Sequence, residues 1–363
     1  MRKISYIYKT FIAVALLVGV YACEREDGEP DLDTKKFSRL YVSFEEYRTS
    51  SDNQTDTNLR VIFPADSSEF DYAFSYVSNV KGGGPIYFNP FLQSLIHAST
   101  NQDGYIDTSA YVLTVGEKTG LVTNRGRLGN RAFTYVKGIA YHSASQHLLL
   151  VNGAGATAGV YHIYRPLGRD GYIKPVKKLR TSGLPMWGAV YKDNQLFVTK
   201  RGENGGIYVF DKIITMGVSA ADSTAELKPL RTLSIPGANN LRGMAYDTTR
   251  NVLAVADFVT GGAVGTGRIL IFEKFSEMTS QTTITPTRII TGPATLLKEP
   301  VEVALDTRSN GIYLYVADRS KKILRFKISD NGNVVPDKEL DTSDEGTPVG
   351  LALDTRDAST LGQ

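Results

Sequence analysis

The chain reads as a repeat that starts again just before it stops. The stretch "GTPVGLALDTR", Gly346 to Arg356, restates an opening already used by "VKGIAYHSASQHLLLV" from Val136, "MWGAVYKDNQLFV" from Met186, "LRGMAYDTTRNVLAVAD" from Leu241 and "PVEVALDTRSNGIYLYVAD" from Pro300. A weaker copy, "GPIYFNPFLQSLIHAS", starts at Gly84. Taking Pro85, Gly138, Gly188, Gly243, Glu302 and Gly350 as anchors, the steps are 53, 50, 55, 59 and 48 residues. Each unit opens with a small residue and an apolar strand ending in a polar one, turns, and returns as a second apolar strand. A variable loop and a third strand follow, and segments such as "KPLRTLSI" and "PTRIITG" supply a fourth. Four short strands per unit of this length predict a β-propeller blade.

A blade that is apolar on both faces is covered only by its neighbours, so the ring has to close. The last anchor brings a single strand. Its missing companions are expected near the other end, as "RLYVSFEEY" (39–47), "NLRVIFPA" (58–65) and "FDYAFSYVS" (70–78). The expected fold is all-β: a six-bladed β-propeller of four-stranded antiparallel blades. It is closed by a mixed blade of one C-terminal and three N-terminal strands, which leaves no inner edge open. The repeats "PVGLALD", "EVALDTRSNGIYLYVADRSKKILRF" and "RGMAYDTTRNVLAVAD" resemble NHL-type repeats of the six-bladed propeller superfamily that includes TolB-like, gluconolactonase and low-density-lipoprotein-receptor propellers.

The first 36 residues lie outside this pattern. Arg2, Lys3 and Lys9 precede "TFIAVALLVGVYA", an apolar run too short for a stable bilayer span. A basic flank and a short apolar core are the layout of a secretory leader. Val20-Tyr21-Ala22-Cys23 resembles a bacterial lipobox, and Cys23 is the single cysteine of the chain, so it has no internal disulfide partner. Residues 1–22 are therefore expected to be a lipoprotein signal peptide, 23–36 a lipidated acidic tether, and 37–363 the propeller. The resemblance implies a membrane anchor on Cys23. Arg25-Glu26-Asp27 resembles the surface-export signal of Bacteroidetes lipoproteins, which implies an outer-membrane lipoprotein of the cell envelope.

Charge excludes one class of partner. The whole chain carries a net charge of +3. The leader holds three bases and no acids and the tether six acids and three bases, which leaves the repeat region again near +3. That is too little to argue for nucleic acid.

The chemistry expected of the ring is sparse. The inner-strand openings read Gly84, Lys137, Trp187, Arg242, Val301 and Val349, and only Glu299 and Glu302 bring carboxylates near them. The gluconolactonase resemblance implies a divalent metal in the channel, held by acids and asparagines. Lysine and arginine in the same ring oppose a cation, so no metal and no other cofactor is expected. The four histidines, His97, His142, His147 and His162, show no metal-ligand spacing and are expected to be satisfied or exposed. Asp247, Asp306, Asp354, Asp257 and Asp318 recur at equivalent blade positions, which suits turn fixation better than catalysis. The glycine-rich stretches 152–159 and 260–267 lack the ending of a phosphate loop and read as flexible rim loops. No nucleophile elbow is present, and no catalytic residue is assigned.

What remains is a candidate ligand site at the channel mouth: Lys137, Trp187 and Arg242 from consecutive blades, with Glu299 and Glu302. A basic, aromatic mouth suits a glycan, a peptide or a partner envelope protein. The reading favours a binding module. The alternatives are a propeller hydrolase or lyase using the channel, and a purely structural envelope subunit.

Overall fold

The computed structural model describes residues 38–47, 57–101, 104–116 and 119–356. The leader, Cys23 and the tether lie outside the described residues. Six sheets make up the fold. The first blade is β4 (Gly83–Asn89), β5 (Ser94–Ser99), β6 (Ser109–Val115) and β7 (Val122–Gly129). The second is β8 (Val136–His142), β9 (His147–Asn152), β10 (Gly159–Tyr164) and β11 (Lys177–Arg180). The third is β12 (Met186–Lys192), β13 (Gln195–Lys200), β14 (Gly206–Asp211) and β16 (Arg231–Ser234). The fourth is β17 (Met244–Asp247), β18 (Val252–Asp257), β19 (Arg268–Glu273) and β20 (Arg288–Thr291). The fifth is β21 (Pro300–Leu305), β22 (Tyr313–Asp318), β23 (Lys322–Lys327) and β24 (Lys338–Asp341).

The sixth blade is built from both ends of the described chain. β25 (Pro348–Asp354) pairs antiparallel with β1 (Arg39–Phe44), in the register Leu40 to Leu353, Tyr41 to Ala352 and Val42 to Leu351. β2 (Leu59–Ile62) and β3 (Tyr72–Tyr76) complete it. The six innermost strands, β4, β8, β12, β17, β21 and β25, then contact one another around a closed circle.

The strands are continuous apolar runs because both faces are buried. In β18, Leu253 and Val255 face the third blade while Val252, Ala254 and Ala256 face the fifth. Each of the six seams between blades carries its own apolar cluster. At about 1.5–3 kcal/mol for each fully buried large apolar side chain, these seams are the main source of stability. The anchor glycines have a steric reason. A Cβ on Gly138 would lie 2.6 Å from the carbonyl oxygen of Trp187, and one on Gly350 would lie 2.4 Å from that of Gly84. Only a bare Cα lets neighbouring inner strands approach so closely at the narrow end of the wedge.

Polar clasps hold the closing blade on both sides. Arg325, 2% exposed, donates to the carbonyls of Ala65 and Ser67 at 2.7 and 2.8 Å and pairs with Asp337. Buried His97 of the first blade lies between the hydroxyls of Ser43 and Ser78, at 2.7 and 2.8 Å.

One blade departs from the expected four strands. A short strand, β15 (Thr224–Glu226), pairs in parallel with β11 and makes the second sheet five-stranded. It belongs to the long excursion between β14 and β16, which crosses the seam and covers the outer edge of the preceding blade. Lys177 fixes that excursion by donating to the carbonyls of Ile214 and Met216, both at 2.6 Å.

Removing residues 347–363 strips β25 from β1 and opens two seams. Thermal unfolding followed by circular dichroism is expected to show a melting temperature more than ~10 °C lower, or no cooperative transition. An unchanged melting temperature would contradict closure by this strand.

Candidate functional site

The inner strands bring Lys137, Trp187 and Arg242 together at one end of the channel. The Lys137 ammonium lies 4.6 Å from the Trp187 ring centre, and the Arg242 guanidinium 4.1 Å from it. A third cation, Arg201, sits 5.9 Å from the same ring and donates to the Tyr135 hydroxyl at 3.5 Å. Tyr135 is the second wall, with Lys137 4.5 Å from its ring centre. Phe258 backs Arg242 at 5.0 Å. Trp187 thus serves as the surface on which this chain's own cations are held, at roughly 0.5–2 kcal/mol per contact.

The cluster is short of negative charge. Arg319 comes from the loop after β22 and pairs with Glu45 at 2.7 Å. Glu45 follows β1, so ring closure carries it to the mouth. Among the described residues, Arg242 has a single side-chain hydrogen bond, to Oδ1 of Asn240 at 2.6 Å. Lys137 is only 6% exposed, and its ammonium meets no hydrogen-bond acceptor among the described residues. Burial pushes the Lys137 amine down to about 8. Glu45 opposes the shift, and Arg242, Arg319 and Arg201 reinforce it. Desolvation, with help from Arg201, likewise pulls Arg242 down to about 9. The desolvation cost wins over Glu45 at Lys137 and over Asp257 at Arg242.

Glu302 stands below the cations on β21. It lines the central cavity of about 260 Å³, whose wall also includes Lys137, Ala189, Tyr246, Thr307 and Leu353. Part of the residue faces the channel, but its carboxyl presses on Gly243, where a Cβ would lie 2.0 Å from Oε1. Burial raises the carboxyl to about 8, and the hydrogen bond from the Val303 amide, 3.2 Å, only moderates this. Glu299 is not part of the channel wall. Its amide is held by the Asp318 carboxylate at 3.1 Å, and it lines neither of the two channel cavities.

The repeat aspartates do structural work. Asp257 accepts the amides of Asn239 and Asn240 and pairs with Arg268. Asp318 accepts those of Lys298, Glu299 and Ser320. Both hold the loop that enters the inner strand of their own blade. Asp247, Asp306 and Asp354 instead fix the first turn of their blades through Arg250, Arg308 and Arg356. The rim loop 260–267 is pinned, with the Gly265 and Gly267 amides both on the Leu297 carbonyl.

The histidine expectation needs one correction. His97 is satisfied, and His142 and His147 share the Ser145 hydroxyl at 2.6 and 2.7 Å. His162 is neither exposed nor satisfied: it is 0% exposed, and neither ring nitrogen has a hydrogen-bond partner among the described residues. The alternation along β10 turns Tyr161 and Ile163 to the first-blade seam and His162 to the third-blade seam. Burial there lowers it to about 3, so it stays neutral.

A lactonase-type metal does not fit these residues. Among the described residues no three His, Cys, Asp or Glu side chains converge on a point. Glu302 is the sole acid on the wide cavity, and it sits under cations.

No protein-family model and no curated protein sequence matches the chain. Solved structures do. The propeller in a nidogen/laminin complex shares 13% identity at a TM-score of 0.51, covering 87% of this chain and 98% of that one. The periplasmic gluconolactonase PpgL of Pseudomonas aeruginosa shares 13% identity at a TM-score of 0.55, covering 87% of this chain and all of that one. At this identity the likeness concerns the fold alone. One of these neighbours is part of a binding complex and the other is a hydrolase, so the fold leaves the activity to the site.

The raised Glu302 gives a signed pH dependence. Between about 4.5 and about 8 the folded state holds a proton that the unfolded chain has lost. Glu302 therefore contributes stability that is full below about 4.5 and is lost as pH rises through about 8. Glu302→Gln is expected to flatten this part of the melting-temperature profile, by a few degrees against wild type at pH 8. Superimposable profiles would contradict a buried, protonated Glu302.

Proposed function

We propose that the protein is a lipoprotein of the bacterial cell envelope whose propeller binds a carboxylate-bearing ligand at the channel mouth. The observation that carries the ligand class is the buried Lys137 and half-buried Arg242 on Trp187, neither with a carboxylate hydrogen-bonded or ion-paired to its side chain among the described residues. A buried cation without a counter-charge is costly, and an incoming anion removes that cost. The ligand's acidic group belongs to a glycan, a peptide end or a partner protein. Glycan chemistry is favoured by the adjoining surface: Tyr135 also walls an open recess of about 400 Å³ with Asn101, Thr134 and Thr157. Small polar side chains beside an aromatic ring suit a second sugar unit.

The anchor is supported by the leader layout and by Val20-Tyr21-Ala22-Cys23. With the acidic tether and Arg25-Glu26-Asp27 behind it, Cys23 places the propeller at the outer membrane of a Bacteroidetes-type cell. Two experiments test the two halves. Expressed in a bacterium that processes lipoproteins, wild type is expected in the membrane fraction and Cys23→Ser outside it. Equal partition of both would remove the anchor. By isothermal titration calorimetry, trigalacturonate is expected to bind the mature protein and maltotriose to bind far more weakly. Arg242→Ala should weaken trigalacturonate by roughly 10–100-fold, the loss of one charged hydrogen-bonding group. Equal binding of the two sugars, or no effect of Arg242→Ala, would overturn the mouth as an anion site.

A further inference from the structure

Three residues, Pro85, Lys137 and Glu302, line both the central cavity and the small one above it, where Trp187, Glu45 and Arg319 join the wall. Lys137 has features that an anchoring cation does not need. It is 6% exposed, it has no acceptor, and two aromatic rings stand at 4.5 and 4.6 Å. Two guanidinium groups share one of those rings. An ammonium largely withdrawn from water and crowded by like charges gives up its proton more readily, and the fraction present as free amine has a lone pair to offer. Desolvated lysines beside other cations are nucleophiles toward carbonyl carbon. The space beneath, about 260 Å³, lies just under the usual range for drug-sized ligands, so it admits a small molecule.

We propose that Lys137 forms an imine with a small 2-oxo acid that enters the channel through the cationic mouth. This rests on the reading of the mouth as a carboxylate site and deepens it. The Nζ lone pair attacks the carbonyl carbon, and the π pair moves to oxygen. A proton passes from nitrogen to that oxygen, giving a carbinolamine. Glu302, the one carboxyl lining both cavities and held protonated by burial, donates the second proton. Water leaves, the C=N bond forms, and the Glu302 carboxylate is left facing an iminium. The net change is amine, carbonyl and the Glu302 carboxylic acid giving iminium, carboxylate and water, with no oxidant or reductant consumed; return of the iminium proton to Glu302 leaves the neutral imine. The carboxylate of the oxo acid takes the charge of Arg242 and Arg201 above.

The test is reductive trapping on the mature wild-type protein. Glyoxylate with sodium cyanoborohydride near pH 7 converts an imine into a carboxymethyl-lysine, located by peptide mass mapping. Lys137 is expected to be labelled at least ~10-fold faster than the average exposed lysine, because near pH 7 a larger fraction of its amine is unprotonated than of an ordinary lysine's. Lys137→Arg removes the adduct. Glu302→Gln slows trapping while Lys137 remains in place. Labelling spread evenly over the surface lysines overturns the inference, and this comparison needs no variant to fold. An uncharged probe, glycolaldehyde, separates the two readings. If it labels Lys137 as fast as glyoxylate does, the nucleophile stands and the anionic mouth falls. If trigalacturonate binds but glyoxylate leaves Lys137 no faster than its neighbours, the mouth stands and the imine falls.

Discussion

The pairing of β25 with β1 is the constraint on which the rest depends. Each sheet is apolar on both faces, so no blade is stable alone and no blade can be last. A linear array would leave two bare faces, each with the apolar surface of a whole seam. Pairing the strand at 348–354 with the strand at 39–44 removes both at once and satisfies an inner edge with main-chain hydrogen bonds. Arg325 and His97 add specificity to that join rather than most of its energy. Buried polar clasps of this kind gain little over water, but they cost a great deal when mismatched.

Closure also sets the electrostatics of the channel. It narrows the inner end until glycine is needed where strands meet, and it faces Lys137, Trp187 and Arg242 across adjacent blades. It also delivers Glu45 from the closing blade to Arg319, so that carboxylate is engaged. Lys137 and Arg242 are left desolvated on aromatic rings, with attraction too weak to hold the lysine at its ordinary basicity. Glu302 lies deeper and is shifted the opposite way by the same physics. A readily deprotonated lysine and a largely protonated acid therefore line one cavity near neutral pH.

The repeat grammar made the architecture legible before any coordinates. Six anchors and three orphan strands near the start were enough to place every inner strand and the closing blade. The trio Lys137, Trp187 and Arg242 was legible for the same reason, since all three occupy one slot of the repeat. What escaped lies off the repeat. β15 is three residues inside a long loop, too short for periodicity to register. Tyr135 and Glu45 sit in connections whose placement depends on closure. Glu299 shares the neighbourhood of Glu302 in sequence, but it does not line the two cavities that Glu302 lines. His162 occupies an ordinary inward position of its strand, and nothing local announces that its neighbours would offer no partner.

Hydrogen exchange followed by mass spectrometry tests closure most directly. If β25 and β1 form one sheet, peptides covering 39–44 and 348–354 are protected to the same degree as β18 and β22. They also lose protection together in one global unfolding event. A C-terminal strand that exchanges freely while the rest of the molecule stays protected would contradict the closed ring, and the geometry of the mouth with it.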